Sequence, residues 1–246
     1  MSEQLIQILP AEGTVEKLLP DAVRTRLNAL YDRVPSVSCE CDRLGQCCEL
    51  TKAEVEADFA TMYPLYTVEY LNVVDYVRTH FDPVQQKAFL DVIEERPERC
   101  PFLTSEGGCM VHPVRPLVCR TYGVLTREEV EQVASDVRGE VPQHWIASFL
   151  YIERHTVCPH TRRLEPDKVA EHAEAMVHFQ YERELIQMGR EVGPLGSDRQ
   201  KAWEKVTRLR EVTRWTWGGF NVLMRSSSNW LRKHFKGYWD ASMLGE

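Results

Sequence analysis

The chain has 246 residues, of which 43% are hydrophobic and 27% are charged, and its formal net charge is −7 at pH 7. This is an ordinary globular composition, long enough for one large or two small domains and with enough apolar residues for a core. No apolar run approaches the roughly 20 residues of a bilayer-spanning helix. The N-terminus lacks the basic start of a secretory signal. We therefore expect a cytoplasmic protein without membrane association.

Helical periodicity dominates the chain, and strand-like alternation is scarce. Predicted helices cover residues 14–34, 51–59, 67–79, 82–96, 126–139, 165–188 and 198–215. Two more are predicted, one beginning at residue 142 and one after residues 226–228. Thr51 with Glu54, and Thr126 with Glu129, have the spacing of capping boxes, which open helices. Residues 189–197 contain three glycines and a proline and form the best linker candidate.

Two of these helices have clear apolar faces. In the first helix, Pro20 is expected in the first turn, because its missing N–H costs nothing there. The predicted buried positions are Val23, Leu27, Leu30 and Val34 in the first helix, and Ala88, Phe89, Val92 and Ile93 in the fourth.

Seven of the eight cysteines lie in two short stretches. The first stretch holds Cys39, Cys41, Cys47 and Cys48, the second holds Cys100, Cys109 and Cys119, and Cys158 stands apart in Cys-Pro-His. Thiols stay reduced in the cytoplasm, so clustered cysteines there indicate metal or redox chemistry rather than structural disulfides. Thiolates are soft ligands that suit zinc and iron–sulfur clusters. Buried cysteines without metal explain any single one of them, but explain the whole set poorly.

Charged and imidazole side chains stand close to these cysteines. Arg115 and Arg120 flank Cys119, where guanidinium groups could neutralise a thiolate cluster and donate hydrogen bonds to it. They could equally hold helix ends or loop carbonyls. His112 and His160 could ligate metal, and His160 gains support from its place beside Cys158.

The cysteine stretches resemble a known family. Gly45-Gln46-Cys47-Cys48 is followed by Leu50-Thr51 and Glu54. Later come Cys100-Pro101-Phe102-Leu103, then Gly108-Cys109, then Arg115-Pro116-Leu117-Val118-Cys119-Arg120. These motifs are similar to those of the zinc- or iron-chelating cysteine-cluster proteins, often called the YkgJ type, and the resemblance covers about residues 36–125. Leu44 departs from the pattern, because it stands where the family usually has a cysteine.

The resemblance implies a ligand set and a cofactor. Cys41 matches the first cysteine of the family pattern, and Cys39 is extra and could replace the missing ligand. The flagellin lysine methylases share this kind of cluster, and for them an iron–sulfur cofactor is implied. We expect core ligands at Cys41, Cys47, Cys48, Cys100, Cys109 and Cys119, with Cys39 and Cys158 as further members.

The C-terminal part is basic and rich in tryptophan. Residues 199–237 hold ten Lys or Arg against two Glu, a net charge of +8, which leaves −15 for the rest of the chain. Five of the six tryptophans follow residue 200: Trp203, Trp215, Trp217, Trp230 and Trp239. Such a stretch can bind nucleic acid or another polyanion. We favour a core stripe with a solvated basic face, or docking on the acidic part, because helical spacing explains the apolar residues without a ligand.

These observations predict a mainly α fold with irregular cysteine-rich loops around a metal centre and a helical C-terminal extension. We expect a metal-binding domain at residues 1–165 and the extension at 166–246. The first functional hypothesis is an enzyme that modifies a protein or peptide and holds an iron–sulfur cluster of the [4Fe–4S] type, with zinc as the second choice of metal. The second hypothesis is a non-enzymatic zinc-binding module whose C-terminal helices recognise a protein or nucleic-acid partner. No phosphate-binding loop, nucleophile elbow or His-Glu-x-x-His motif is present.

Overall fold

The computed structural model describes residues 17–49, 52, 63–90, 98–126, 128–129, 132, 158, 160–192 and 212–215, with backbone alone for 63–64 and 212–215. The predicted capping box at residues 51–54 and the helices expected from residue 142 and after residue 228 lie outside the described residues. So do the helix end at Gly139, the stripe positions Val92 and Ile93, and most of the helix predicted at 198–215.

The described residues form six α-helices and four short strands, which confirms the mainly α fold. In chain order they are α1 (Asp21–Tyr31), β1 (Val37–Cys39), β2 (Tyr63–Tyr66), α2 (Thr67–His80), α3 (Pro83–Leu90), α4 (Leu117–Thr121), β3 (Thr161–Arg163), α5 (Val169–Val177), α6 (Gln180–Val192) and β4 (Val212–Trp215). Short 3₁₀ turns cover Gln46–Cys48, His112–Val114 and Pro166–Lys168. In this part of the chain, none of the helices has the length and apolar character of a membrane span.

Helix α1 is shorter than predicted at both ends. Pro20 has extended backbone angles (φ −57°, ψ 141°) and precedes the first helical residue, Asp21. The segment before it is fixed from outside the helix, because the Asp75 carboxylate accepts hydrogen bonds from the amides of Leu18 and Leu19 at 2.8 and 3.0 Å. The predicted apolar face is confirmed, since Val23, Leu27, Leu30 and Val34 are all buried.

Helix α2 is the centre of the fold, and its observed span is one residue longer than predicted. Nine of its fourteen residues are buried, more than a single stripe provides, because α1, α3 and α6 all pack against it. The helix ends where Phe81 becomes extended (φ −120°, ψ 153°). Asp82 then opens α3 by accepting hydrogen bonds from the amides of Val84 and Gln85 at 2.8 and 3.0 Å.

The apolar face of α3 differs from the predicted one. Ala88 is exposed, Phe89 is half-buried and Leu90 is buried. The Phe89 ring lies 5.2 Å from the ring of Phe81 and 5.1 Å from that of Phe102. These aromatic contacts turn the side of the helix that carries residues 89 and 90 inward, so the prediction for Ala88 is wrong.

The single helix predicted at residues 165–188 is wrong, because the structure has a 3₁₀ turn and two helices there. The break falls at Phe179, whose φ of +52° is a left-handed conformation that no helix interior contains. It lets α6 fold back against α5, and Tyr181 then meets His172 across the break, with the hydroxyl 3.1 Å from Nδ1. Helix α6 also runs through Gly189 to Val192, so the linker cannot begin at residue 189.

Two antiparallel ribbons connect distant parts of the sequence. Strand β1 pairs with β3, with Val37 opposite Arg163 and Cys39 opposite Thr161. Strand β2 pairs with β4, with Tyr63 opposite Trp215. The last four residues of the helix predicted at 198–215 are therefore a strand. Their sequence, Val-Thr-Arg-Trp, is rich in residues that favour strands once a partner is present.

Two apolar clusters hold these elements together. The first joins α1, α5, α6 and the start of α2 with Leu117, Val124 and Leu125. The second consists of Leu65, Val73, Val74, Val77, Leu90, Phe102 and Val111. Cys100 and Cys109 pack against the second cluster, so the second cysteine stretch rests on α2 and its neighbours.

Candidate metal centre

Two glycines allow the cysteine loops to meet backbone against backbone. Gly45 (φ +79°) precedes the turn that carries Cys47 and Cys48, and a Cβ there would lie 2.5 Å from Leu103 Cδ1 and 2.9 Å from the Gly107 oxygen. Gly107 (φ +85°) has no room for a Cβ either, because one would clash with the carbonyl oxygen of Leu44. Both positions need a left-handed conformation that glycine adopts without penalty.

Backbone hydrogen bonds then set the order of the cysteines. The Cys100 amide donates to the Cys48 carbonyl at 2.8 Å, which joins the two stretches. A tight turn follows, closed by the Met110 amide donating to the Phe102 carbonyl at 2.8 Å, and it brings Cys109 back beside Leu103. Cys119 sits on the short helix α4.

Five sulfur atoms form what we call the inner group: Cys47, Cys48, Cys100, Cys109 and Cys119. Cys48 interacts electrostatically with Cys100 and Cys119, and Cys47 with Cys109. Burial raises the pKa of Cys100 to about 12 and that of Cys119 well above its usual value. A hydrogen bond from Cys48, a backbone hydrogen bond and the nearby Arg115 lower the pKa of Cys47 to about 7. The first thiolate of the group therefore forms at Cys47.

The remaining three cysteines form the outer group: Cys39, Cys41 and Cys158. The sulfurs of Cys39 and Cys41 are 3.0 Å apart. The contact with Cys39, together with burial and the neighbouring Cys158 and Cys47, raises the pKa of Cys41 to about 12. Cys41 thus connects the outer group to the inner one. All eight cysteines are free of disulfides.

The two arginines take different places. Arg115 acts on the inner group, since its charge lowers the pKa of Cys47, Cys109 and Cys119. Its Nε is buried and has no hydrogen-bond partner among the described residues. Arg120 instead donates to the carbonyls of Arg115 and Pro113 at 2.7 and 2.8 Å. Arg115 therefore acts electrostatically on the sulfurs of the inner group, and Arg120 holds the loop before α4.

The donor set fits a thiophilic metal by its chemistry, because it offers eight free thiols and an unsatisfied guanidinium N–H. Among the described residues, no group of three or more His, Cys, Asp or Glu side chains already has an arrangement that could hold a metal ion. His112 and His160 are both exposed. Leu44, where the resemblance led us to expect a cysteine, is 52% exposed, and its backbone packs on Gly107.

A buried carboxylate contacts the helix that carries Cys119, and the sequence analysis missed it. Glu69 on α2 is fully buried, and burial raises its pKa, although three hydrogen-bond donors act in the opposite direction. One donor is the amide of Leu117, which begins the helix of Cys119. In the sequence, Glu69 is one polar residue within a predicted helix, and nothing near it indicates this role. The contact that defines the role joins Glu69 to Leu117, 48 positions away.

An open cleft of about 440 Å³ lies beside the outer group. Its lining residues are Glu40, Gly123, Leu125, Thr126, Cys158, Thr161, Arg162 and Arg163. Arg162 donates to Glu40 at 2.7 Å, and Arg163 donates to Glu129 at 2.8 Å, so both charges are balanced. Among these residues only Cys158 was a candidate from the sequence.

The described residues hold eight free thiols, and five of them form the interacting inner group, which is the kind of donor set that thiophilic metals prefer. Residues 40–136 match the family model CxxCxxCC, "Putative zinc- or iron-chelating domain". The matched region is less than half of the chain and contains six of the eight cysteines, all except Cys39 and Cys158. Neither the curated proteins nor the solved structures gave a match.

Proposed function

We propose that the metal centre is an iron–sulfur cluster of the [4Fe–4S] type, held mainly by the inner group. The observation that carries this proposal is the five interacting sulfurs of that group beside the unpartnered Nε of Arg115. Four thiolates complete either a structural zinc site or a [4Fe–4S] cluster, so the choice of the cluster rests on Arg115. A cluster also offers acceptor sulfurs to an N–H donor, and such hydrogen bonds tune it.

The chain's own residues would each serve this centre in a defined way. Arg115 offsets the negative charge of the thiolates. The second apolar cluster keeps water away from Cys100 and Cys109. When bound, the cluster would supply one-electron redox chemistry or hold the loops together.

Metal analysis after anaerobic purification tests the proposal. We expect iron with acid-labile sulfide and a brown protein whose visible absorbance bleaches on reduction. Cys100→Ser and Cys119→Ser should lower metal content and stability together, because metal binding is coupled to folding when the ligands come from separate loops. Cys158→Ser should be milder, since it lies outside the family match.

Two results would count against this proposal in different ways. A colourless protein with stoichiometric zinc would exclude the cluster and favour the non-enzymatic zinc-binding module. Full metal content and stability in all three variants would show that these cysteines are not the ligands.

We further propose that the cleft beside Cys158 receives a segment of a protein or peptide substrate. Its volume of about 440 Å³ suits one or two side chains of a bound chain, since ligand pockets measure roughly 300–1,000 Å³. Thr126 offers a hydroxyl group, and the exposed pair of Arg162 and Glu40 offers both charges, whereas the Thr161 hydroxyl already donates to the Gly123 carbonyl at 2.7 Å. A peptide carries matching donors, acceptors and charges.

A peptide library with affinity readout by mass spectrometry tests the cleft. Arg162→Ala should reduce the enrichment of the peptides that the wild type selects. Arg26→Ala is the matched control, because Arg26 is also exposed and also paired, with Glu191, but lies on α1 away from the cleft. Equal enrichment by the wild type and by Arg162→Ala would reject the cleft as the substrate site.

A further inference from the structure

Glu69 is the centre of a buried hydrogen-bond network beneath the inner group. Its side chain is fully buried. Oε1 accepts hydrogen bonds from the Leu117 amide at 2.6 Å and from the Tyr31 hydroxyl at 2.8 Å. Oε2 accepts one from the Tyr66 amide at 3.2 Å. One carboxylate thus joins α1, the start of α2 and the start of α4.

The contact with Leu117 matters because α4 is only five residues long. A helix this short has few internal hydrogen bonds, and its first amides need outside acceptors. No side chain of its own caps it, since Pro116 precedes it. Glu69 therefore supplies the acceptor that lets α4 begin at Leu117, two residues before Cys119.

The other end of α4 is attached to the same network. The Arg120 guanidinium lies 4.1 Å from the centre of the Tyr31 ring, in cation–π geometry. Tyr31 donates its hydroxyl to Glu69. Leu117 and Arg120 are thus both held by the Glu69–Tyr31 pair, and Cys119 lies between them.

We propose that Glu69 is a positioning residue that fixes Cys119 for metal binding, with Tyr31 as its partner. Glu69 does not touch the metal, and it acts through the backbone of α4. This inference goes beyond the proposed function, because it holds whether the inner group binds an iron–sulfur cluster or zinc.

Two variants of Glu69 separate the acceptor role from simple space filling. Glu69→Met keeps the approximate volume and removes both acceptors. Glu69→Gln keeps one oxygen that can still accept from Leu117. With the full chain as purified, we expect Glu69→Met to bind its metal about ten- to hundredfold more weakly than the wild type, the range found for residues that orient metal ligands, and to lose it faster to EDTA. The rate of metal loss from Glu69→Gln should lie between the rates of the wild type and of Glu69→Met.

Asp75→Asn is the matched control. Asp75 lies on the same helix, is almost fully buried and also accepts two backbone amide hydrogen bonds, but those amides belong to Leu18 and Leu19. This variant should lower the melting temperature while the rate of metal loss stays at the wild-type value. If metal loss follows the melting temperature in the same way in all three variants, Glu69 serves only global stability and the proposal fails.

Hydrogen exchange keeps the test independent of the metal's identity. In the full chain as purified, the peptide that contains residues 117–121 should exchange faster in Glu69→Met than in Asp75→Asn. If Glu69→Met does not fold, Glu69→Gln and Tyr31→Phe decide, and both should speed metal loss and exchange in this peptide. Unchanged exchange at residues 117–121 would overturn the positioning role, whereas zinc in place of iron in the wild type would overturn only the proposed function.

Discussion

Glu182 is half-buried, and unlike Glu69 its carboxyl group has an unsatisfied oxygen. Its Oε2 is buried without a hydrogen-bond partner among the described residues. Burial, with a smaller contribution from Glu69, raises the pKa of Glu182 to about 7. The folded protein therefore keeps a proton on Glu182 at pH values where the unfolded chain has released it. Ionisation of Glu182 therefore lowers the free energy of unfolding.

The sign of the pH effect follows from this raised pKa. The contribution of Glu182 to stability is complete below about pH 4.5 and is lost as the pH rises through about 7. Glu182→Gln imitates the protonated form at every pH. We expect the variant to be more stable than the wild type at pH 8, by on the order of 1–3 kcal/mol, and equally stable near pH 4.5. Urea unfolding at both pH values, in the same metal state, measures the difference.

Glu184→Gln is the control for this prediction. Glu184 lies on the same helix, is about half exposed and is paired with Arg33 at 2.7 Å. Its replacement should change stability by less than about 1 kcal/mol, because partly exposed ion pairs contribute little. A loss of stability of the same size in Glu182→Gln at pH 4.5 and pH 8 would contradict the prediction, because a raised pKa of Glu182 makes the difference depend on pH.

At the scale of elements, features that depend on near neighbours were predictable from the sequence. The capping box at Thr126 is confirmed, since the Thr126 amide donates to Glu129 at 2.8 Å and the Glu129 amide donates to Thr126 Oγ1 at 3.3 Å. Helix α2 was predicted within one residue, because Pro83 limits it on one side. Both signals lie within a few residues of the position they determine.

Elements that depend on distant partners were not predictable in this way. Phe179 breaks the predicted helix although its neighbours have high helix propensity, and packing of α6 on α1 and α2 compensates for the left-handed residue. Strand β4 exists through its pairing with β2, about 150 residues earlier in the chain. Tertiary contacts override local propensity in both places.

The candidate site also has a part that the sequence could predict and a part that it could not. Cysteine spacing and the family pattern indicated all eight thiols, and Gly45 and Gly107 explain how two loops bring them together. Glu69, Tyr31 and the cleft could not be recognised, because their roles come from contacts across dozens of residues. The ligand set itself stays a prediction until metal is measured in the cysteine variants.

At the scale of the whole molecule, the chain does not separate into an N-terminal and a C-terminal core in the part that the structure describes. Helices α5 and α6 share one apolar cluster with α1 and α2. Strand β4, inside the basic stretch at residues 199–237, pairs with β2. The boundary proposed between residues 165 and 166 stays a prediction, and so does the partner of the basic stretch.

The pairing of β4 with β2 supports docking of the basic end on the acidic remainder. The opposing charges are +8 and −15, and salt weakens attraction between exposed charges. We expect the melting temperature of the wild type to fall as ionic strength rises. Replacement of Lys201, Lys205, Arg208 and Arg232 by Gln should lower the melting temperature at low salt and remove most of its salt dependence.

Nucleic-acid binding predicts a different behaviour for the same variant. A polyanion-binding surface releases counterions on contact, so the affinity of the wild type for RNA or DNA would fall steeply with salt. The four substitutions would then abolish binding and leave the melting temperature unchanged, since solvated charges contribute little to stability. We expect the first outcome, because β4 already attaches this stretch to the N-terminal half through backbone pairing. Retention of RNA by the wild type, lost in the variant at an unchanged melting temperature, would reverse the assignment and make the basic stretch a nucleic-acid-binding surface.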